Sequence, residues 1–417
     1  MPVPADHSTT VNTIGKLETL KLITKAGYNY RNTMLYLTKQ KKFKRLANFL
    51  YTKTLVPTGE GSGELAYYFI GGILQKYPKL TPYPKYIEVE VTSKCNKRCV
   101  ICEHTHWNEK NTDLTFDEFK QLIDQFDLKW INLTGEGDAF LNKHYLQMIE
   151  YCKNKGMSVY LTDSFDLITP SVSKELVKLG VDGIYISMDG ATKETYEKIK
   201  LGCNFDRTIK NINAMLDTKA FFSSPLPELC FRYTITKENI NETADFVKLV
   251  NSIATREEWG DGSKIHFIGL LDYPAIHNMF IDKIPQEVID NTYKAVDGTG
   301  IPVVFAHLDE SKNPDINTCL AWLEPYFALV PEPMSLPCCA VLMANARDKL
   351  LEYNFGNYLT TPFKKIWNSP YYKWFRSQVN KKDGKVPMLC ADCRAYNTTE
   401  RIQKYGIDKR KADDFKG

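Results

Sequence analysis

The chain has no run of about 20 apolar residues, which excludes a transmembrane helix of ordinary length. Its start, MPVPADHSTTVNTIGK, lacks a charged-then-apolar pattern and gives no sign of a secretory signal. No internal repeat and no low-complexity tract is present, so nothing in the sequence points to a repeat architecture. Acidic residues are almost missing from 16–53, where ten lysines and arginines face one acid, Glu18. The whole chain carries only +4, so the remainder is net acidic.

What is present is an ordinary globular composition over 417 residues, with 43% hydrophobic and 25% charged, enough for two or three domains. Cysteine is plentiful, at eleven. Without a signal segment these read poorly as disulfides and better as metal ligands in a reducing cytoplasm, the expected location. Three of them, Cys95, Cys99 and Cys102, crowd into VTSKCNKRCVICEHTHW (91–107) directly after a β-like run. A disulfide pairs two thiols and a structural zinc site wants four ligands. Three thiolates and an open position suit a metal centre that must also bind something else.

Residues 14–80 read as helical and basic, broken at PTGEGSGE (57–64), and PKLTPYPK (78–85) reads as a linker. Short β-rich runs then alternate with amphipathic helices. Strands are predicted at 85–92, 130–135, 158–163, 183–189, 229–236 and 264–271. Thr115 and Glu118 form a capping-box signature, and Gly180 reads as a helix C′ residue. Strand–helix alternation over this length predicts a parallel α/β sheet, open or barrel-like. From about 300 the rhythm is lost, and Pro, Trp and Cys become frequent. This predicts a helical N-terminal region (1–84), an α/β barrel (85–300), a small Cys-rich α+β extension (301–400) and a polar tail (401–417).

In a parallel barrel the reaction site lies at the C-terminal ends of the strands. Cys95, Cys99 and Cys102 follow the first strand, GEGD (135–138) the second, and Thr162 and Asp163 the third. Ser187 and Asp189 close the fourth, Thr236 and Asn239 follow the fifth, and Arg232 lies within it. All fall on one rim.

CNKRCVIC is C-x3-C-x2-C and resembles the signature of radical S-adenosylmethionine (radical SAM) enzymes. LTGEGDAFLN resembles their Gly-rich stretch after the second strand, with Asp138 for the usual Glu and Ala139 for the usual Pro. YISMDGATKETYEKIK (185–200) resembles their fourth-strand segment. The resemblance covers roughly 85–275 and implies a partial (β/α)6 barrel. It implies a 4Fe–4S cluster on Cys95, Cys99 and Cys102 whose open iron chelates S-adenosylmethionine. One-electron reduction would then give a 5′-deoxyadenosyl radical that abstracts hydrogen from a substrate. It implies cofactor contacts from Gly135, Glu136, Gly137, Asp138, Thr162, Asp163, Ser187, Asp189 and Arg232, with the amine taken by Asp138 or by Glu136.

A second set of thiols comes late in the chain: Cys319, the adjacent Cys338 and Cys339, then Cys390 and Cys393. The surrounding pattern is a Cys before an aromatic (CLAW), a CC pair, Gly-Asn, Ile-Trp-Asn, Phe-Arg and a final Cys-x2-Cys. It resembles the SPASM/twitch extension of radical SAM enzymes in its one-cluster form. PEPMSLPCC replaces the Asp-Gly turn that usually precedes the CC pair. The resemblance implies one auxiliary 4Fe–4S cluster on Cys319, Cys338 or Cys339, Cys390 and Cys393. On spacing alone, Cys390 and Cys393 also fit half of a zinc site.

The expected activity is that of a radical SAM oxidoreductase on a small-molecule, sugar or lipid-linked substrate, with a flavodoxin or ferredoxin as reductant. The alternatives are a peptide maturase that cross-links or epimerises, and, from another class, a zinc-binding scaffold or nucleic-acid-binding protein. Segment 16–53 reads as a solvated face, as a peripheral membrane contact or, third, as a nucleic-acid patch; nucleic acid is not the expected partner. Cys152, Cys203 and Cys230 read as buried small hydrophobes.

Overall fold

The structure, a computed structural model, describes residues 30–55, 83–271, 274–281, 283–298, 301–306, 321–379, 386–391 and 393. Cys319, the break at 57–64, most of the 78–85 linker and the polar tail lie outside the described residues.

Among the described residues two helices precede the sheet, α1 (Arg31–Lys39) and α2 (Phe43–Leu55). Then strands and helices alternate: β1 (Tyr86–Val89), α3 (Phe116–Ile123), β2 (Trp130–Leu133), α4 (Tyr145–Asn154), β3 (Ser158–Asp163), α5 (Pro170–Leu179) and β4 (Gly183–Ser187). They continue with α6 (Lys193–Ile199), α7 (Phe205–Phe221), β5 (Glu228–Ile235), α8 (Thr243–Ile253), α9 (Arg256–Trp259), β6 (Ile265–Gly269), α10 (Gln286–Val296) and β7 (Val303–Ala306). The C-terminal part adds β8 (Tyr326–Ala328), β9 (Met334–Leu336), α11 (Cys339–Ala344), α12 (Arg347–Tyr353), α13 (Phe363–Trp367) and α14 (Pro370–Val379).

The strands form one sheet in the order β7-β6-β5-β4-β3-β2-β1-β8-β9. Every pairing is parallel except β8 with β9. The six predicted strands are all present. The sheet also runs past residue 300, where β7 pairs with β6. A four-residue edge strand is too short to show a period, which is why the rhythm fades before it. Local chemistry sets the helix ends as expected. Thr115 and Glu118 make a complete capping box, and Gly180 closes α5 at φ 71°, a left-handed conformation that suits glycine.

Register separates two faces. Glu88, Asn132, Tyr160, Gly183 and Glu228 are partners in one row across β1–β5. Thr162, Tyr185 and Cys230 form the next row, and Ser187, Arg232 and His266 the third. Residues in a row share a face. The residues between them, such as Ile131, Leu161, Ile186 and Phe231, share one buried core with Leu122, Met148, Leu176, Ile212 and Phe246 of the helices. The helices therefore cover an apolar outer face, and the inner face is polar.

Candidate active site

The loop after β1 carries Cys95, Cys99 and Cys102, all free and half-buried. It is pinned to the end of α6, where Arg98 and Val100 donate backbone N–H groups to the Leu201 and Ile199 carbonyls at 2.8 and 2.9 Å. Thr105 Oγ1 donates to the Cys99 carbonyl at 2.7 Å, and His104 Nε2 lies 2.7 Å from the Ser93 carbonyl. Burial pushes the Cys99 thiol up to about 11, and Cys95 adds to this while Lys200 opposes it. Burial also raises Cys102 well above its ordinary value, with Glu103, Glu136 and Cys99 adding to the effect. The three thiols thus feel one another along a single loop.

Residues 135–138 fold against this loop. A side chain at Gly137 would collide with the Thr92 carbonyl oxygen and come within 2.8 Å of that of Lys94. Only glycine lets the backbone approach so closely. Asp138 N donates to the Lys94 carbonyl at 2.7 Å. The Asp138 carboxylate accepts from Phe140 N at 3.1 Å and is ion-paired with the buried Lys97 ammonium. Glu136 N donates to Glu90 Oε1 at 2.9 Å, and Leu329 N donates to Glu90 Oε2 at 2.8 Å. A single buried carboxylate therefore ties the glycine turn to the segment after β8.

Among the other rim residues, Thr162 shares the inner face with Tyr160, and its hydroxyl accepts from Arg232 at 3.4 Å. Asp163 is next in the strand and belongs to the opposite face. Its carboxylate accepts from Phe165 N at 2.6 Å, and burial, with Asp138 nearby, pushes it up to about 7. Ser187 accepts from Lys200 Nζ at 2.8 Å. Asp189 pairs with Lys200 at 2.9 Å and accepts from Thr234 N at 2.6 Å, so it braces the end of β5. Arg232 faces inward, 4.1 Å over the Tyr185 ring. Thr236 and Asn239 are buried and hydrogen-bond each other.

Cys338 is the N-cap of α11 in extended backbone, and Cys339 is the first helical residue. Cys339 lies against Glu88 on the inner face of the sheet, with Arg232 in electrostatic reach; burial, then Glu88, raises its thiol well above the ordinary value, and Arg232 opposes this. Asn345 closes α11 and donates to the Leu389 carbonyl at 3.0 Å, which brings the Cys390–Cys393 turn to the same helix. Cys152, Cys203 and Cys230 are buried as expected, and Cys203 adjoins Cys99 and Lys200.

Sequence reading missed Lys97, Lys200 and the inner-face residues Glu88, Asn132, Tyr160 and Glu228. Glu88 accepts from Asn132 Nδ2 at 2.9 Å, and Glu228 from the Tyr160 hydroxyl at 3.3 Å. The signal was available: YIEVEV places two acids inside a strand, where a buried charge needs a reason.

Two family models match the chain. The radical SAM superfamily matches residues 89–250, and SPASM, an iron-sulfur cluster-binding domain, matches residues 321–394. The chain is a radical SAM protein with a SPASM domain. These domains imply a 4Fe–4S cluster, an auxiliary cluster and S-adenosylmethionine. The donor chemistry fits: three free thiols lie on one loop, and the Gly135–Asp138 turn packs against that loop so closely that a Cβ at Gly137 would strike the Thr92 carbonyl. Among the described residues, no three His, Cys, Asp or Glu side chains converge as they would on a single metal ion.

Among its relatives, the chain is 24% identical over 338 residues to the tungsten-containing aldehyde ferredoxin oxidoreductase cofactor-modifying protein of Pyrococcus furiosus, covering 78% of this chain and 91% of that one. It is 24% identical over 341 residues to the AdoMet-dependent heme synthase of Methanosarcina barkeri, covering 76% and 93%. Streptococcus suis SuiB bound to S-adenosylmethionine shares the fold, with a TM-score of 0.55, 13% identity and coverage of 85% and 87%. No helix among the described residues is long and apolar enough to cross a membrane.

Proposed function

We propose that this radical SAM protein is an oxidoreductase-type enzyme acting on a small-molecule, sugar or lipid-linked substrate. In this reading Cys95, Cys99 and Cys102 hold the first cluster, and Cys319, Cys338, Cys390 and Cys393 hold the auxiliary one. The observation that carries it is convergence: the three-thiol loop, the Gly135–Asp138 turn and a polar inner face meet on one rim of a parallel sheet. The chemistry such a cluster supplies when bound is reductive cleavage of S-adenosylmethionine and, through the deoxyadenosyl group released, removal of a hydrogen atom from carbon.

The chain's own residues would bind and orient. Gly135 and Gly137 let the turn pack against Glu90 and the thiol loop, which sets the backbone of 135–138 beside the ligand site. Glu136 or Asp138 takes the ligand amine, Asp138 by exchanging its Lys97 partner. Thr162 and Ser187, on the inner face, reach the ribose or carboxylate, while Asp163 and Asp189 brace the strand ends. Arg232 offers a cation to an acidic group of the substrate. The inner-face residues Glu88, Asn132, Tyr160, Tyr185 and His266 are themselves buried, which keeps bulk water from this face.

A small-molecule substrate is supported by the relatives, one named as a cofactor-modifying protein and one as a heme synthase. Peptide modification is the second reading, because SuiB bound to the precursor peptide SuiA has the same fold at a TM-score of 0.56. A flavodoxin or ferredoxin would supply the electron.

The test is 5′-deoxyadenosine formation under dithionite with anaerobically reconstituted protein. Wild type should form it, and the Cys95→Ala/Cys99→Ala/Cys102→Ala variant should not. Zinc in place of iron after anaerobic purification would overturn the reading.

A further inference from the structure

Arg347 opens α12 in the SPASM part of the chain, yet its guanidinium lies among residues of the barrel. Its Cζ sits 3.5 Å over the Trp107 ring. Its Nη2 pairs with Glu136 at 2.9 Å and its Nε with Glu109 at 3.4 Å. Its Nη1 donates to the Leu342 carbonyl at 3.4 Å, within α11. One side chain therefore touches the helix after the cysteine pair, the loop after Cys102 and the glycine turn after β2.

The surroundings are short of cations and of hydrogen-bond partners. Glu90 and Glu103 also lie within electrostatic reach of Arg347. Glu136 Oε1, Glu109 Oε2, His104 Nδ1 and Trp107 Nε1 are buried without a hydrogen-bond partner among the described residues. Removing the guanidinium would leave Glu136 and Glu109 facing further carboxylates, and like charges in a buried site repel. A lysine could restore the charge but neither the stack nor the planar fork.

We propose that Arg347 is a positioning residue that couples the SPASM part to the S-adenosylmethionine site. It does so by holding the Glu136 turn and the Trp107–Glu109 loop together. The proposal rests on the reading that Cys95, Cys99 and Cys102 hold the first cluster.

The test compares wild type with Arg347→Met and Arg347→Lys. The change in the reduced cluster's EPR spectrum on adding S-adenosylmethionine is titrated, and iron content is measured alongside. Hydrogen exchange of peptides covering 99–109 and 134–142 is followed in protein without added cofactor. Arg347→Met should keep its iron, weaken S-adenosylmethionine by roughly tenfold or more, and exchange faster in both peptides. Arg347→Lys should recover part of the affinity. An Arg347→Met affinity within about twofold of wild type, or unchanged exchange in both peptides, overturns the proposal. If wild type takes up no iron on the three thiols, the functional reading fails instead, and exchange alone decides the role of Arg347. If Arg347→Met does not fold, Arg347→Lys and Trp107→Leu carry the same comparison.

Discussion

Two adjacent cysteines end up in different surroundings. Cys339 lies against Glu88, with Arg232 and Tyr326 of the sheet in electrostatic reach, whereas Cys338 is in electrostatic reach of Tyr372 of α14. A helix start turns successive side chains apart, so one thiol faces the barrel and the other the SPASM part. In a Cys95→Ala/Cys99→Ala/Cys102→Ala background only the auxiliary cluster would be counted. There, Cys338→Ala should lose about four irons per chain and Cys339→Ala should keep them. Iron and sulfide assays check this, and the reverse result would assign the ligand to Cys339. The spacing of the thiols was legible in the sequence because cluster ligands on one loop are local. The partner of Glu136 was not, because Arg347 lies 211 residues away in an unremarkable helix start. Facing was also hidden: Thr162 and Asp163 read as a pair, but adjacent strand residues point to opposite faces.

The N-terminal helices are fastened to the end of the barrel opposite the thiol loop. Arg45 of α2 pairs with Asp182, just before β4, at 3.1 Å, and also donates to the Gly180 carbonyl. Lys153 is the second cation on Asp182, and Asp182 also accepts from Val159 N at 2.8 Å. Arg45 and Lys153 outweigh the burial of Asp182 and hold its carboxyl below the ordinary value. Lys44 donates to the Lys155 carbonyl at 3.0 Å. Two cations of the basic segment are thus taken up by the barrel, which a count of charges could not reveal. Arg45→Met should destabilise the protein by about 3 kcal/mol in urea titrations, because it removes one partner of a buried pair. The rate of 5′-deoxyadenosine formation per loaded cluster should not change. A loss below about 1 kcal/mol would mean that Lys153 alone neutralises Asp182. At this scale the sequence was most legible: the six strands followed from alternation, and the caps of α3 and α5 from local hydrogen bonding. β8 was not, since its pairing with β1 joins segments more than two hundred residues apart.

Stability of the whole molecule should carry a pH signature from a buried lysine outside the three-thiol loop. Lys219 of α7 donates to the carbonyls of Glu258 and Trp259 at 2.7 and 2.8 Å, stitching α7 to the end of α9. A neutral amine has two N–H groups, which these two carbonyls match. Burial lowers its pKa to about 7, with Glu228 opposing the shift. The unfolded chain keeps the proton up to about 10.4. Between these values the unfolded state binds more protons, so stability rises with pH. Below pH 7 both states are protonated, and this contribution to the slope vanishes. Above about 8.5 buried thiols act the other way: Cys152, pushed up to about 12 by burial, keeps a proton that the unfolded chain releases. The comparison therefore belongs between pH 7 and about 8.5. Across that window wild type should gain roughly 2 kcal/mol relative to Lys219→Met, measured as the difference between their urea unfolding free energies. A difference that stays flat would place the Lys219 proton on the folded protein throughout, held there by Glu228.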